Sequence, residues 1–333
     1  MTTTKVVPKL RRRDVEQARY ANDDASVLYI TDNCPVGCGH CSVDSRPDSP
    51  RITDLALFEQ MVEGLARAPQ RVVGITGGEP FVERRALPWA VDRLARAGKS
   101  VVLYTSGIWA VKAQAQPWVH EVLDKCACVY LSTDAFHQSG MGMERFGNAA
   151  KVIAEHAVPI VVQVIGTPAE VGRVESMLAQ ALGPHWAEQA EIVPTQLLVT
   201  GRAERLLRIE PRTEGRKFGR CGIARSRLVR YDGAVHACCN EALLGGSGPD
   251  WYRTRTETAE QVDASIADYA ADELLTAIGT EGVGATIQSR PEFADLAERR
   301  FRSICEACWV MVDRTANGRP LGTDDTRTRR IAA

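Results

Sequence analysis

Long apolar runs, charge imbalance and an apolar N-terminus are all missing from this sequence. No stretch approaches 18 uninterrupted apolar residues, so we expect no membrane-spanning helix. The formal net charge of −1 gives no electrostatic reason to expect nucleic acid or an anionic membrane as a partner. The first 13 residues are polar and basic, without the apolar segment of a signal peptide, and we interpret residues 11–13 as part of a solvated tail. We therefore expect a cytoplasmic protein.

Cysteine, by contrast, is abundant, with ten residues in the chain. Without an export signal these cysteines do not indicate a disulfide framework, and cysteines at short spacings in the cytosol are more often metal ligands. Eight of them fall into two groups, Cys34/Cys38/Cys41 and Cys221/Cys238/Cys239/Cys305/Cys308. The other two, Cys126 and Cys128, lie where a helix ends and a strand begins, a place that suits small buried side chains.

Residues 27–200 alternate apolar runs with segments of helical period, which predicts βα units around a parallel sheet. The predicted strands are 27–31, 72–76, 101–104, 128–132, 159–165 and 190–199. The predicted helices are 53–67, 87–97, 116–125, 143–155 and 171–182. Six such units are fewer than the eight that close a barrel, so the pattern predicts an open sheet whose active site lies in the loops after the strands. The charged segment 202–220 that follows is interpreted as a linker.

Two motifs follow the first two predicted strands. Cys34, Cys38 and Cys41 form a CxxxCxxC run, which can bind three irons of a 4Fe-4S cube and leave the fourth iron without a protein ligand. An open metal position is typical of a catalytic site, although a CxxxCxxC run alone can also bind zinc. The second motif is Gly77-Gly78-Glu79-Pro80, directly after the second strand.

The order and placement of these motifs resemble those of the radical S-adenosylmethionine (radical SAM) enzymes. The resemblance implies an α/β fold, an open (βα)6 partial TIM barrel, over residues 27–203. It also implies that S-adenosylmethionine chelates the open iron and is cleaved, after one-electron reduction, to methionine and a 5′-deoxyadenosyl radical. That radical abstracts a hydrogen atom from the substrate, and an external reductant such as flavodoxin or ferredoxin supplies the electron.

The resemblance also implies roles for the residues around the cofactor. His40 occupies the position whose side chain packs against the adenine. Gly77 and Gly78 allow the backbone to approach the methionyl group, and Glu79, followed by Pro80, can accept a hydrogen bond from its ammonium. A surface position at the start of a helix is the alternative for Glu79.

Residues after later strands match the family less closely. Ser132 and Asp134 match the position that binds the ribose hydroxyls, although Asp134 could equally face the substrate. Gly166 loosely resembles part of the segment near the adenine. Ser106 replaces the Asn of a common family variant, which weakens any specific role for it.

The C-terminal cysteines resemble the auxiliary-cluster extensions called SPASM and twitch domains. Cys221, Gly233 and Cys238 match the CX11GX4C opening, and Cys305 and Cys308 complete four ligands for one closed 4Fe-4S site. A structural zinc is the alternative. We expect a small C-terminal α+β domain over 204–313, between a barrel at 27–203 with an N-terminal tail at 1–26 and a flexible tail at 314–333. Its predicted elements are a hairpin of 227–231 and 234–238 and helices at 257–277 and 291–302.

Cys239 is then the spare cysteine and our candidate catalytic residue. Its thiol could return a hydrogen atom to a substrate radical, because an S–H bond is weaker than most C–H bonds. It could also be an alternative cluster ligand or simply pack in the core.

Three functions compete. The first is a dehydrogenase or epimerase of a small carbohydrate- or aminocyclitol-like natural-product intermediate, and the complete four-cysteine site favours dehydrogenation because a second cluster can accept the radical's electron. The second is maturation of a ribosomally made peptide, by thioether or carbon–carbon crosslinking or by epimerisation. Only 26 residues precede the first strand, so we expect a separate leader-binding partner in that case. The third, an iron–sulfur scaffold or sensor, would not need the GGEP motif beside an open cluster.

Overall fold

The computed structural model of the chain describes residues 8–20, 23–206 and 210–316. Its strands are β1 (Ala25–Tyr29), β2 (Val72–Thr76), β3 (Ser100–Thr105), β4 (Cys126–Ser132), β5 (Ile160–Ile165), β6 (Ala190–Thr195), β7 (Thr213–Glu214), β8 (Arg227–Arg230), β9 (Ala234–His236), β10 (Arg253–Arg255) and β11 (Arg300–Phe301). Its α-helices are α1 (Arg12–Tyr20), α2 (Leu55–Arg67), α3 (Ala86–Arg96), α4 (Pro117–Asp124), α5 (Ala135–Met141), α6 (Met143–Glu155), α7 (Pro168–Leu182), α8 (Glu241–Leu244), α9 (Ala259–Ala270), α10 (Glu273–Thr280), α11 (Val283–Ser289) and α12 (Ile304–Ala316). No helix in these ranges is long and apolar enough to cross a bilayer.

Strands β1 to β6 form a parallel sheet in chain order, as the sequence predicts. Helices α2 to α7 connect them, so the six predicted strands and the α/β fold with a parallel sheet are confirmed. Boundaries shift by a few residues, and β6 ends at Thr195 rather than at 199. The one additional helix is α5, which begins at the N-cap Asp134 directly after β4.

The inner face of the barrel divides into an apolar half and a polar half. Near the amino ends of the strands, inward-facing side chains such as Val72, Val102 and Val161 form one buried cluster with Val15 and Ala18 of α1. Helix α1 therefore closes the floor of the barrel, within the N-terminal tail predicted over residues 1–26, while Arg11 and Arg13 are exposed as expected for a solvated segment. Two apolar residues three apart give this short basic helix one buried face.

The barrel sheet continues into the C-terminal segment. Strand β8 pairs parallel with β1, and β9 and β10 extend the sheet in antiparallel register, which confirms the predicted hairpin. The free edge of an open barrel presents unpaired backbone groups, and β8 satisfies them on the β1 side.

The C-terminal helices differ from the predictions. The helix predicted over 257–277 is broken where Asp272 caps α10 by accepting a hydrogen bond from the Leu275 amide. The helix predicted over 291–302 is wrong, because 3-10 helix Pro291–Leu296 is followed by β11, which pairs with β7. Cys305 and Cys308 lie on α12 instead. Of the predicted flexible tail, residues 314–316 are helical, and 317–333 lie outside the described residues.

Candidate active site

The three cysteines of the CxxxCxxC run line one cavity at the carboxyl ends of the barrel strands. The cavity has a volume of about 370 Å³, within the range of small-molecule sites. Cys34 and Cys38 are buried and Cys41 is half-buried. Burial raises the pKa of the Cys34 thiol to about 12, so the free thiol is neutral at pH 7. A bound metal would reverse this preference, because thiols bind metals as thiolates.

Arg202 fixes the cysteine loop, a role that the sequence did not reveal. Its guanidinium donates two hydrogen bonds to the Cys38 carbonyl, at 2.9 and 2.6 Å, and one to the Ser45 carbonyl at 2.7 Å. It also pairs with Asp44 at 2.9 Å. The backbone amide of Arg202 donates to the Cys41 carbonyl at 3.0 Å. Its position in the sequence predicts the beginning of a charged linker, and the structure shows a loop clamp instead.

Gly77 and Gly78 bring the second motif against the cysteine loop. A Cβ atom at Gly78 would lie 2.2 Å from the Asn33 carbonyl oxygen, and one at Gly77 would lie 2.6 Å from the Thr31 carbonyl oxygen. The Gly78 amide donates to the Thr31 carbonyl at 2.7 Å, and the Glu79 amide donates to the Asn33 carbonyl at 2.9 Å. Only glycine allows this approach, which places both residues along the cavity wall.

Glu79 is buried behind that wall and is fully hydrogen-bonded. Its carboxylate accepts from the Thr105 hydroxyl at 2.8 Å, from the Ser106 hydroxyl at 2.6 Å, and from the amides of Ser106 and Phe81. Burial raises the pKa of Glu79, and these bonds oppose the rise. Four donors fill the acceptor sites of a carboxylate, so a contact with a cofactor ammonium requires that one bond be exchanged. Pro80, next in the motif, begins a short 3-10 turn.

Ser106 therefore has a specific place despite its departure from the family pattern. Its hydroxyl and amide tie the loop after β3 to Glu79, and so to the loop after β2. The sequence did contain a signal for this contact. Ser106 follows the third predicted strand and Glu79 follows the second, so the hydroxyl and the carboxylate lie at the same edge of the sheet.

A network of His40, Asp134 and His137 surrounds Cys38. Asp134 caps α5 by accepting from the Phe136 and His137 amides, and its other oxygen lies 3.0 Å from His137 Nδ1 and 3.6 Å from His40 Nε2. The ligand atoms of Cys38, His40 and His137 lie within 4.8 Å of one another. Burial opposes charge on His137, but Asp134 and Cys38 outweigh it and raise its pKa to about 10. His137 was not among the predicted site residues.

Of the four remaining predicted cofactor residues, three line the cavity and one does not. His40, Ser132 and Asp134 line the cavity beside the cysteines. Burial lowers the pKa of His40, and its buried Nδ1 has no hydrogen-bond partner. Gly166, at the end of β5, packs against the side chain of Glu170 and is not among the residues that line this cavity.

The adjacent cysteines 238 and 239 differ in their relation to the cavity. Cys239 lines the cavity with the loop cysteines, and Arg19 Nη2 donates to its sulfur at 3.6 Å. Cys238 is buried and is not among the residues that line the cavity; burial raises its pKa, and the neighbouring Cys239, Cys308 and Cys221 thiols raise it further.

The four predicted C-terminal ligands lie outside the cavity, and among the described residues no three of their sulfur atoms lie within 4.8 Å of one another. Burial raises the pKa of Cys308, and the nearby Cys221 and Cys305 thiols raise it further. Asn240 donates to the Cys305 sulfur at 3.2 Å, and the Tyr252 hydroxyl lies 4.0 Å from the Cys308 sulfur. A group of thiols with nearby polar donors fits an iron–sulfur cluster or another thiolate-bound metal.

The cavity itself fits a cluster with a bound cofactor. It combines three thiols from one loop with the unpartnered Nδ1 of His40 and with backbone exposed at Gly77 and Gly78. Soft thiolate ligands suit iron–sulfur clusters, and the unpartnered nitrogen suits a polar ligand beside them.

Comparison with known proteins agrees with this geometry. Residues 28–138 match the family model of the Radical SAM superfamily. No curated protein matches the chain in sequence. Among solved structures, the chain is similar to BtrN in complex with AdoMet and 2-DOIA, at 14% identity and a TM-score of 0.44, covering 83% of this chain and 92% of that one.

Two structures of anSMEcpe are also similar. Native anSMEcpe with bound AdoMet and Cp18Cys peptide is 13% identical, with a TM-score of 0.49. Polyhistidine-tagged anSMEcpe with bound AdoMet is 12% identical, with a TM-score of 0.50, and each match covers 85% of this chain and 89% of that one. At such identities the likeness concerns the fold alone. The match to the family model spans residues 28–138, which contain both the cysteine loop and the GGEP motif.

Proposed function

We propose that this protein cleaves S-adenosylmethionine reductively and abstracts a hydrogen atom from a small polar substrate. One observation carries the proposal: Cys34, Cys38 and Cys41 line the same cavity as Gly77, Gly78 and the thiol of Cys239. A cofactor site and a candidate hydrogen donor therefore share one cavity.

In this proposal the chain's own residues hold and orient the reactants. Cys34, Cys38 and Cys41 would bind a 4Fe-4S cluster, which, when bound and reduced, supplies the electron that cleaves S-adenosylmethionine. Arg202 and the two glycines of the motif hold the loop in place. His40, Ser132 and Asp134 offer polar groups along the cavity wall for the adenosyl portion of the cofactor.

The position of Cys239 favours epimerisation over dehydrogenation. After hydrogen abstraction, the Cys239 thiol would give its hydrogen atom to the substrate carbon, and an external one-electron reductant with a proton from water would restore the thiol. Dehydrogenation would instead remove one electron and one proton from the radical. The grouped thiols of Cys221, Cys238, Cys305 and Cys308 support a second 4Fe-4S cluster, which could serve either outcome.

The test uses anaerobically reconstituted protein with dithionite and S-adenosylmethionine. We expect 5′-deoxyadenosine and methionine as products, whereas methylthioadenosine would show that a different bond breaks. With substrate, epimerisation in D2O raises the product mass by one unit, and dehydrogenation lowers the mass by two. Cys239→Ala should still form 5′-deoxyadenosine but little inverted product. Full inversion by this variant would remove Cys239 from the mechanism.

Maturation of a ribosomally made peptide remains the alternative prediction. This reaction would use the same cluster and the same S-adenosylmethionine site, but its substrate would be a peptide. A precursor-peptide gene beside the gene for this chain would favour it, whereas genes for sugar or cyclitol metabolism would favour a small-molecule substrate.

A further inference from the structure

Helix α1 brings a guanidinium into the candidate active-site cavity. Because Val15 and Ala18 seat the helix on the barrel floor, its last turn places Arg19 next to the polar half of the inner face. Arg19 lines the cavity together with Tyr104 and Cys239. The predicted N-terminal tail, residues 1–26, thus supplies part of the cavity.

The partners of Arg19 in the protein are all uncharged. Its Nη1 donates to the Tyr104 hydroxyl at 3.3 Å and its Nη2 donates to the Cys239 sulfur at 3.6 Å. Its Nε is buried without a hydrogen-bond partner, and its guanidinium carbon lies 5.3 Å from the centre of the Tyr20 ring. No carboxylate of the described residues lies within 4.0 Å, whereas Arg202 in the same region pairs with Asp44.

Burying the Arg19 guanidinium in this way lowers the stability of the protein unless a ligand pairs with it. A partly buried cation without an ion pair lowers stability, because its desolvation is not compensated. A guanidinium also presents a planar fork of donors that matches a carboxylate, which makes Arg19 a candidate carboxylate-binding residue.

Glu241 supplies the opposite charge in the same cavity. It is the first residue of α8, two positions after Cys239, and it lines the cavity without an ion pair within 4.0 Å among the described residues. Burial raises the pKa of Glu241, and Arg19 opposes the rise, so the two charges lie within electrostatic reach of each other. A ligand between them would complement both charges if it carried an anion and a cation.

We propose that the substrate is a small zwitterion whose carboxylate binds Arg19 and whose amino group binds Glu241. This inference rests on the proposed function, in which the cavity is the substrate site, and it narrows the substrate to amino acids, amino-sugar acids and similar molecules. Both binding residues flank Cys239, so the carbon between the two charged groups would lie near the candidate hydrogen donor. Neutral carbohydrates would bring no counter-charge to either group.

The test measures binding of an anion at Arg19 and of a cation at Glu241 separately. The distance between the two charged groups of the substrate therefore does not need to be known. Thermal unfolding of the anaerobic protein is followed against sodium acetate, which carries only the anion, and methylammonium chloride, which carries only the cation, at matched ionic strength. We expect acetate to stabilise the wild type and its apparent affinity to fall about 10- to 100-fold in Arg19→Gln. Methylammonium should behave in the same way with Glu241→Gln.

Matched controls come from exposed positions of the same charge. Arg13→Gln, on the exposed side of α1, should keep the acetate response, and Glu121→Gln, on α4, should keep the methylammonium response. Arg19→Lys, which keeps the charge but loses the fork, should bind acetate better than Arg19→Gln does. Equal acetate responses in Arg19→Gln and Arg13→Gln, or no response in the wild type, would overturn the proposal.

Failure of the proposed function would look different. If wild-type protein does not cleave S-adenosylmethionine but shows both charge-specific responses, the zwitterion site stands and the radical chemistry is wrong. If cleavage occurs without either response, the radical chemistry stands and the zwitterionic substrate is wrong.

Discussion

Replacing Arg202 tests how the cysteine loop is held. The Arg202 side chain is only 11% exposed and donates to two buried carbonyls, those of Cys38 and Ser45, as well as to Asp44. In Arg202→Gln these carbonyls lose a charged donor. Each unsatisfied buried group costs about 1–3 kcal/mol. Because the Cys38 carbonyl keeps its bond from the Cys41 amide, we expect a total loss of roughly 3 kcal/mol.

The loss should appear in stability and in metal content together. Anaerobic denaturant unfolding gives the change in the free energy of unfolding, and iron and sulfide analysis gives cluster occupancy after reconstitution. We expect Arg202→Gln to retain less iron at the cysteine loop, because the three thiols are no longer held in one arrangement. Arg202→Lys should be intermediate, since an ammonium cannot reproduce the planar fork.

Arg46→Gln is the matched control, since Arg46 also pairs with Asp44. Its side chain is 45% exposed, and surface pairs contribute only about 0–1 kcal/mol. If Arg202→Gln and Arg46→Gln unfold at the same denaturant concentration and hold the same iron, the clamp reasoning is refuted.

Three further predictions test other parts of the site and fold. Reconstituted wild type should hold about eight irons in two 4Fe-4S clusters, and alanine at Cys34, Cys38 and Cys41 together should leave about four; a wild-type value near four with one bound zinc would contradict the second cluster. Ser106→Ala should lower the free energy of unfolding by about 1–3 kcal/mol through the lost bond to buried Glu79, while Ser176→Ala at an exposed position of α7 should change it by less than about 0.5 kcal/mol. Burial opposes charge on Asp232, but Arg230 outweighs it and lowers the pKa of Asp232, so its stabilisation is present above its unfolded pKa of about 3.9 and is lost as the pH falls further. Asp232→Asn should therefore destabilise the protein at pH 7 and weaken the acid dependence of its unfolding; an unchanged acid dependence would refute this assignment.

The sequence alone determined the strands and helices of the barrel and the loops in which the two motifs lie. Alternation between apolar runs and helical period is a local signal, so six strands and five of their helices were predictable within a few residues. The cysteine run and the GGEP motif were recognisable because their spacing is fixed along the chain. The Asp232-Gly233 turn likewise identified the β8–β9 hairpin.

Tertiary structure decided which distant residues complete the site. Arg19 enters the cavity only because α1 closes the barrel floor, and Arg202 reaches the carbonyl of Cys38 across a separation of 164 residues. Neither contact leaves a periodic signal, since each depends on where two separate segments meet. In the sequence, the role of Cys239 rested only on its place next to Cys238, whereas the structure places Cys239, and not Cys238, among the residues that line the cavity.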